Sequence, residues 1–253
     1  MIPYIAWHTI QLGPITLQVW GLFVGLGFLL GTYLATRLAR ARGADPKVII
    51  DLVPWLIFAA IIGGRLGDVF FYRPGYYFAD PVQILKIWEG GASFFGGIIA
   101  CTIVATIYFW KKKVSFVEYA DILAFGLPAG IACGRIGCFL IHDHPGTLTH
   151  FVLGVKYPDG VRHDLGLYEA LLMGVVAIVF LVLSRKARPQ GFYLGLFAVL
   201  YAVPRFFLDF LRIIDVRYLG LTPSQYICVA LFIFGLWRLY KMYRAPASLG
   251  VDG

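Results

Sequence analysis

The chain has 253 residues, of which 60% are hydrophobic and 14% are charged, and its mean hydropathy is +0.78. So few charged residues leave too little polar surface to cover a water-soluble globule of this length, which excludes an ordinary soluble protein. The formal net charge of +8 does not indicate a nucleic-acid partner, because the basic residues form short clusters between apolar runs, where they orient membrane helices.

Apolar runs in chain order predict about seven transmembrane helices, since one crossing needs about 20 residues. The runs lie at residues 15–39, 48–72, 93–110, 116–141, 165–184, 190–213 and 219–240. We therefore predict an all-α integral membrane protein with a single transmembrane domain over residues 1–253. Two stretches are expected at the membrane interface: an amphipathic one at 76–90, and a small external polar segment at about 142–164, between helices four and five.

The distribution of Lys and Arg between these runs predicts the orientation. Of the 22 Lys and Arg residues, thirteen fall on one side, within residues 37–47, 111–113, 185–188 and 238–244, and six fall on the other. Cytoplasmic loops carry the excess of positive charge, so the thirteen mark the cytoplasm. Seven crossings then put the N-terminus outside and the C-terminus inside.

Three arginines, Arg65, Arg135 and Arg205, lie inside apolar runs. Each costs a few kcal/mol near the bilayer centre unless it is paired or faces water. They lie roughly 15 to 19 residues past the cytoplasmic entry, hence roughly 22 to 28 Å into a core of about 30 Å. Asp68 at i+3 and Asp209 at i+4 offer partners to Arg65 and Arg205, whereas the helix of Arg135 offers no acid at these spacings. Either another helix supplies a carboxylate to Arg135, or its partner is a ligand.

Three guanidinium groups at one depth favour an anion site, because arginine binds phosphate through two parallel hydrogen bonds. A set of purely structural ion pairs is the alternative. Glycines near the arginines let helices and ligands approach the backbone closely, although small residues also pack membrane helices in general. They include Gly63, Gly64, Gly67, Gly96, Gly97, Gly134 and Gly137.

The four cysteines, Cys101, Cys133, Cys138 and Cys228, lie in apolar runs without the paired spacing of a zinc site. We therefore expect buried free thiols, no metal and no cofactor.

Longer motifs surround these residues. They are GGRLG (63–67) followed by FYRPGYYFADP, then KIWEGGASFFGG (86–97), GRIGCFLIHDHPG (134–146), HDLGLYEALL (163–172) and RFFLDFLRIID (205–215). Through them, the chain resembles the bacterial prolipoprotein diacylglyceryl transferases over nearly its whole length, as far as TPSQ (222–225).

The resemblance implies an enzyme of the bacterial inner membrane. It would transfer the diacylglyceryl group of phosphatidylglycerol to the lipobox cysteine thiol of a prolipoprotein and release glycerol phosphate. Its partners would be these two substrates and membrane lipid, and we expect a monomer. This reaction suits the arginines, because the breaking bond leaves negative charge on a phosphate, while the sulfur must become a thiolate.

By motif match, the resemblance implies that Arg135 and Arg205 hold the phosphate, with Asp143, Gly146 and Asp209 in supporting places. Together with the arginine depth and the glycines, this gives two predicted sets. The catalytic set is Arg135, His142, Asp143, His144 and Arg205. The substrate-binding set is Arg65, Gly96, Gly97, Arg135, Gly146, Tyr168, Arg205 and Asp209.

The chain also departs from the family pattern. Phe95 stands where the family carries a histidine thought to act as base or site organiser, Cys138 where asparagine is expected, and Trp20 where tyrosine is expected. Asp143 and Asp209 replace glutamates, which are one methylene longer. The anion-binding half of the site therefore keeps its residues, whereas the thiol-activating half is altered.

His142 and His144 follow Arg135 by seven and nine residues, just past the fourth helix. A neutral imidazole there could replace the missing base. The other interpretations are a solvated loop without a role and a metal ligand. If nothing replaces the family histidine, the chain is instead a catalytically altered relative that binds anionic phospholipid or a membrane partner without transfer. An anion transporter would need inverted repeats or half-helices, which the sequence does not indicate.

Overall fold

The computed structural model describes residues 1–86, 91–213 and 217–244, and helices account for most of them. The helices are α1 (Val19–Ala41), α2 (Pro46–Gly67), α3 (Pro74–Ala79), α4 (Phe94–Lys112), α5 (Phe116–Ile141), α6 (Leu165–Leu183), α7 (Phe192–Leu208) and α8 (Pro223–Arg244). Shorter helical turns lie at Asp68–Tyr72, Pro81–Leu85 and Asp209–Leu211.

Six helical segments among the described residues are long and apolar enough to cross a bilayer. They are Val19–Ala41, Pro46–Tyr72, Phe116–Ile141, Leu165–Leu183, Phe192–Leu211 and Pro223–Arg244. This confirms the prediction of an all-α integral membrane protein, and the chain is a multi-pass membrane protein. The third predicted run, 93–110, forms α4, which is not among the six, so the number seven stays a prediction.

Short strands occur near the N-terminus and in the polar segment between α5 and α6. They are β1 (Ile2–Pro3), β2 (Thr9–Leu12), β3 (Ile15–Gln18), β4 (Pro145–Leu148), β5 (Val155–Tyr157) and β6 (Gly160–Asp164). One small sheet has the order β1-β5-β6-β4, and β2 and β3 form a separate antiparallel hairpin. The first predicted run, 15–39, begins before α1 does, because its first residues belong to this hairpin.

Side-chain caps account for where several helices begin. Asp45, Ser93 and Asp164 accept hydrogen bonds from backbone N–H groups in the first turns of α2, α4 and α6. Those N–H groups have no acceptor inside their own helix, so a polar side chain at this position stabilises the helix start. Pro46 occupies the start of α2, where its missing N–H costs nothing.

The chain forms two compact units. The first consists of Met1–Leu38 and Ala120–Gly253, and the second of Ala39–Tyr119. In the first unit, α1 and α5 approach so closely that a Cβ added to Gly27 would lie 2.5 Å from the carbonyl oxygen of Gly130. In the second unit, α2 and α4 meet in the same way, and a Cβ added to Gly67 would lie 2.8 Å from the Cα of Gly96. Small residues at such contacts are typical of membrane helix pairs. The single transmembrane domain stays a prediction.

The stretch predicted to rest at the interface, 76–90, exposes apolar side chains along α3 and the helical turn after it. Tyr76, Phe78, Val82 and Leu85 are all at least half exposed. Such a row of side chains suits the boundary between headgroups and acyl chains. Residues 87–90 lie outside the described residues.

Candidate functional site

Two of the intramembrane arginines meet at one carboxylate in the first unit. Arg135 projects from α5, Arg205 from α7, and Glu169 from the start of α6. The Nε of Arg135 lies 2.9 Å from Glu169 Oε2, and Arg205 Nη1 donates to Oε1 at 2.6 Å. Another helix therefore supplies the carboxylate of Arg135, the first of the two possibilities that the sequence left open. Glu169 is 2% exposed, so its charge depends on these cations for stabilisation.

Asp209, just past the end of α7, adds a second carboxylate to this charged array of Arg135, Arg205 and Glu169. Its Oδ1 lies 3.0 Å from Arg205 Nη2, as the i, i+4 spacing predicts, and 3.3 Å from Arg212 Nε. The hydroxyl of Thr222 donates to its Oδ2. With Glu169, two buried carboxylates therefore contact three arginines among the described residues.

Some hydrogen-bond donors of this array have no acceptor among the described residues. The buried Arg205 Nε makes no hydrogen bond to them. The Arg135–Glu169 contact is an ion pair without hydrogen-bond alignment, since Glu169 Oε2 accepts no hydrogen bond from the described part of the chain. Guanidinium groups with uncommitted N–H groups can turn a forked edge toward a phosphate.

Asp143 and His144 form a hydrogen-bonded dyad beside Arg135. The Nδ1 of His144 bonds to Asp143 Oδ1, and its Nε2 lies 3.3 Å from Arg135 Nη1. A carboxylate can only accept and a guanidinium can only donate, so the hydrogen of a neutral imidazole belongs on Nδ1. The lone pair of Nε2 then faces Arg135, which is the arrangement of an oriented general base.

His142 lies in a different environment from His144. It is buried, its Nδ1 lies 2.7 Å from Asp164 Oδ2, and its ring stacks on Tyr4 at a centroid distance of 4.6 Å. The Tyr157 hydroxyl donates to the same carboxylate oxygen at 2.8 Å, and burial together with that carboxylate raises the pKa of Tyr157. His142 therefore connects α5 to the sheet through Asp164, and its predicted catalytic role stays a prediction.

Gly146 and Tyr168, both predicted to bind substrate, contact His163. A Cβ added to Gly146 would lie 3.0 Å from both His163 Cβ and the carbonyl oxygen of Leu211, so a side chain there would force its neighbours apart. The Gly146 carbonyl accepts from Arg162 Nη1 at 3.0 Å. The Tyr168 hydroxyl lies 2.8 Å from His163 Nδ1. A substrate role for either residue stays a prediction.

The environment of His163 predicts a pH effect on stability. Burial lowers the pKa of this imidazole below its ordinary value of about 6.5, so near that pH the unfolded chain binds more protons than the folded protein. The stability from neutral His163 is thus present above about pH 6.5 and is lost as the pH falls through the lowered value. We expect the destabilisation by His163→Gln, measured as the loss of thermal midpoint in detergent, to be larger at about pH 7.5 than at about pH 5. A destabilisation that grows as the pH falls would contradict this assignment.

Arg65, the third intramembrane arginine, belongs to the second unit. Its Nε donates to the carbonyl of Ile84 at 3.0 Å, and its Nη1 donates to the carbonyl of Gly91 at 3.1 Å. Its Nη2 donates to the carbonyls of Gln83 at 2.5 Å and of Lys86 at 2.9 Å. Backbone carbonyls near a membrane need donors from the protein. Arg65 thus fixes the path of the chain after α3, and its predicted role in substrate binding stays a prediction.

The other predicted residues of the second unit lie near the start of α4. Gly96 and Gly97 follow the capping residue Ser93, and Gly96 is used in the close contact of α2 with α4 described above. Their substrate role stays a prediction. The side chain of Phe95 lies outside the described part of the structure. Asp68, the predicted partner of Arg65, accepts from Arg73 Nη2 at 2.5 Å.

Comparison with known proteins gives a match over almost the whole chain. The family model described as prolipoprotein diacylglyceryl transferase matches residues 8–241. The chain belongs to this family. Among its relatives, the phosphatidylglycerol–prolipoprotein diacylglyceryl transferase of Nitratidesulfovibrio vulgaris strain DP4 is 37% identical, covering 91% of this chain and 92% of the relative. Transferases of the same name are 37% identical in Ectopseudomonas mendocina strain ymp, with 99% of both chains covered, and 32% identical in Roseobacter denitrificans, with 87% and 88% covered.

The structure adds to this transferase-family site a residue that sequence reasoning missed. Glu169 joins the two arginines, yet it was in neither predicted set, because the sequence did not indicate which acid on another helix would reach Arg135. The signal was present: an acidic residue inside the apolar run 165–184 is as costly as an intramembrane arginine.

One departure from the family pattern lies beside the arginine. Cys138, which stands where asparagine is expected, accepts from Arg135 Nη1 at a distance of 3.7 Å.

Proposed function

We propose that this member of the family transfers the diacylglyceryl group of phosphatidylglycerol to the lipobox cysteine thiol of a prolipoprotein. The substrates are those named in its relatives. One observation supports the proposal for this chain. Arg135 and Arg205 share Glu169 directly beside the Asp143–His144 dyad, and Arg205 Nε has no hydrogen-bond partner among the described residues.

In the proposed reaction, the arginines act on the leaving group. The acceptor sulfur attacks the glycerol carbon that carries the phosphate ester, the carbon–oxygen bond breaks, and the oxygen leaves with the electron pair as glycerol phosphate. Arg135 and Arg205 bind the phosphate and stabilise its growing charge, and Glu169 and Asp209 hold the two guanidinium groups in place.

His144 takes the thiol proton in this proposal. Its Nε2 faces Arg135 Nη1. When Arg135 turns that N–H to a phosphate, Nε2 loses its donor and becomes available to the thiol, while Asp143 keeps the ring oriented. Lipid binding thus prepares the base. The dyad supplies the function that Phe95 cannot supply.

The alternative, a relative that binds lipid without transfer, has no observation on the described residues in its favour. Expression of this chain in cells depleted of their own transferase tests the proposal. We expect restored lipoprotein modification and growth with the parent chain, and no restoration with Arg135→Gln. Failure of the parent chain, at normal membrane levels of the protein, would count against the proposal.

We further propose that the chain works as a monomer in a bacterial inner membrane, without nucleic acid, with its N-terminus outside and its C-terminus in the cytoplasm. The charge distribution between the helices supports this orientation. It places the polar segment that contains His144 outside, where a secreted preprotein arrives.

Reporter tags test this orientation. Tags after Lys112 and at the C-terminus should be protected from an impermeant labelling reagent in intact cells, while a tag near Gly160 should react, because the charge excess holds the first two in the cytoplasm. A protected tag near Gly160 would overturn the orientation, and with it the outer location of the site.

A further inference from the structure

Cys138, Asp143 and His144 bring three different metal-ligand groups together at the end of α5. One ligand atom from each can be chosen so that all three lie within 4.8 Å of one another. The sulfur and His144 Nε2 also both point at the same Arg135 N–H group, at 3.7 and 3.3 Å. Their lone pairs are therefore directed toward one place, beside Arg135 Nη1.

Two of the three candidate ligands are accessible to solvent. Cys138 is 4% exposed, whereas the side chains of His144 and Asp143 are 24% and 35% exposed. An ion can thus approach from the two exposed ligands and reach the buried sulfur. The thiol would lose its proton to solvent on coordination, so that a thiolate and a carboxylate balance the two charges of a divalent ion.

The donor set selects the kind of ion. Sulfur, imidazole nitrogen and carboxylate oxygen together are typical of Zn²⁺ and Co²⁺, whereas Mg²⁺ and Ca²⁺ prefer oxygen ligands alone. The guanidinium of Arg135 lies against the same lone pairs and competes with any cation. Only an ion that bonds strongly to thiolate can overcome this competition.

We propose that Cys138, Asp143 and His144 form a binding site for a thiolate-preferring divalent cation such as Zn²⁺, and that its occupancy inhibits the enzyme. Coordination through Nε2 uses the lone pair that accepts the thiol proton, and coordination through Nδ1 breaks the bond to Asp143. Either way His144 is removed as a base. The inhibition rests on the proposed function, whereas the metal site itself does not.

Titration of the purified full-length protein with Co²⁺, without a polyhistidine tag, tests the site. We expect one equivalent to bind and to produce a thiolate-to-cobalt charge-transfer band. Cys138→Ala should abolish that band, while the matched control Cys101→Ala, which removes a thiol in the second unit, should keep it. A wild-type protein without the band, or a Cys138→Ala variant that retains it, would overturn the site.

Because Cys138 is buried and its replacement can disturb packing, two variants at the exposed ligands provide an independent test. His144→Gln and Asp143→Asn should each weaken Co²⁺ binding at least tenfold by titration, since each removes one of three ligands. Unchanged affinity in both variants would refute the site even if Cys138→Ala failed to fold.

Transfer assays then test inhibition. One equivalent of Zn²⁺ should lower turnover at least tenfold, Mg²⁺ should not, and EDTA should restore the rate. Unchanged turnover with Zn²⁺ bound would overturn the inhibition. A protein that binds Co²⁺ as expected but transfers nothing in metal-free buffer would contradict the proposed function and support the metal site, so the two failures are distinguishable.

Discussion

Replacing His144 with alanine should lower turnover by roughly 10²-fold or more while phosphatidylglycerol binding persists, the usual scale for losing a general base. The reason is the position of His144, between the Asp143 carboxylate and Arg135, the arginine proposed to bind the phosphate. Turnover is measured with a lipobox peptide and purified protein in detergent, and lipid binding with native mass spectrometry.

His142→Ala is the matched control, because it removes the other histidine of the same segment. It breaks the bond to Asp164 and the stacking on Tyr4, so it should cost about 1–3 kcal/mol of stability. The turnover of the protein that remains folded should stay near that of the parent. The sequence offered both histidines as a replacement base, and the proposal gives this role to His144.

Restoring the family residue provides a second control. Phe95→His in the His144→Ala background should recover part of the lost turnover, since it returns a proton acceptor to the place where the family carries one. Unchanged turnover in His144→Ala would remove the replacement-base proposal. A loss of lipid binding in the same variant would instead assign His144 to the substrate-binding machinery.

Arg205→Gln should unfold the protein far more readily than Arg135→Gln. Arg205 contacts two buried carboxylates, Glu169 and Asp209, so its removal weakens two ion pairs, and loss of one partner of a buried pair costs up to about 3–5 kcal/mol. Glu169 and Asp209 then keep only Arg135 and Arg212, whose contacts with them are longer than that of Arg205 with Glu169. Arg135→Gln leaves Glu169 with Arg205 at 2.6 Å, so its free energy of unfolding should change little. The measurement is denaturant unfolding of each variant in the same detergent.

Lipid binding should show a separate effect in Arg135→Gln. We expect phosphatidylglycerol affinity to fall roughly tenfold or more, about 1.4 kcal/mol, because a side chain with unused donors is lost from a folded site. Arg135→Lys, which keeps the charge but not the forked geometry, should recover part of the affinity. Equal destabilisation by Arg135→Gln and Arg205→Gln would mean that both arginines are purely structural ion pairs.

The membrane helices were predictable because length and hydropathy alone set them. The predicted run 116–141 is α5 itself, and 165–184 differs from α6 by one residue. The N-terminal hairpin escaped prediction because the apolar run 15–39 continues through β3 into α1, and hydropathy does not distinguish a strand from the helix that follows it.

The site was predictable only where its contacts are local. The Arg205–Asp209 pair follows from i, i+4 spacing, whereas Glu169 reaches both arginines from a third helix, a contact that no spacing along one helix encodes. His142 and His144 looked equivalent in sequence. Their environments differ because Asp164, which is distant in sequence, bonds to His142 and not to His144.

One measurement tests the central claim, that this chain transfers a diacylglyceryl group although Phe95 replaces the family histidine. Purified protein is incubated with phosphatidylglycerol vesicles and a lipobox peptide, and the products are followed by mass spectrometry. We expect a peptide with one diacylglyceryl group on its cysteine sulfur and an equal amount of released glycerol phosphate. Phosphatidylglycerol bound to the folded protein, with neither product formed, would contradict it.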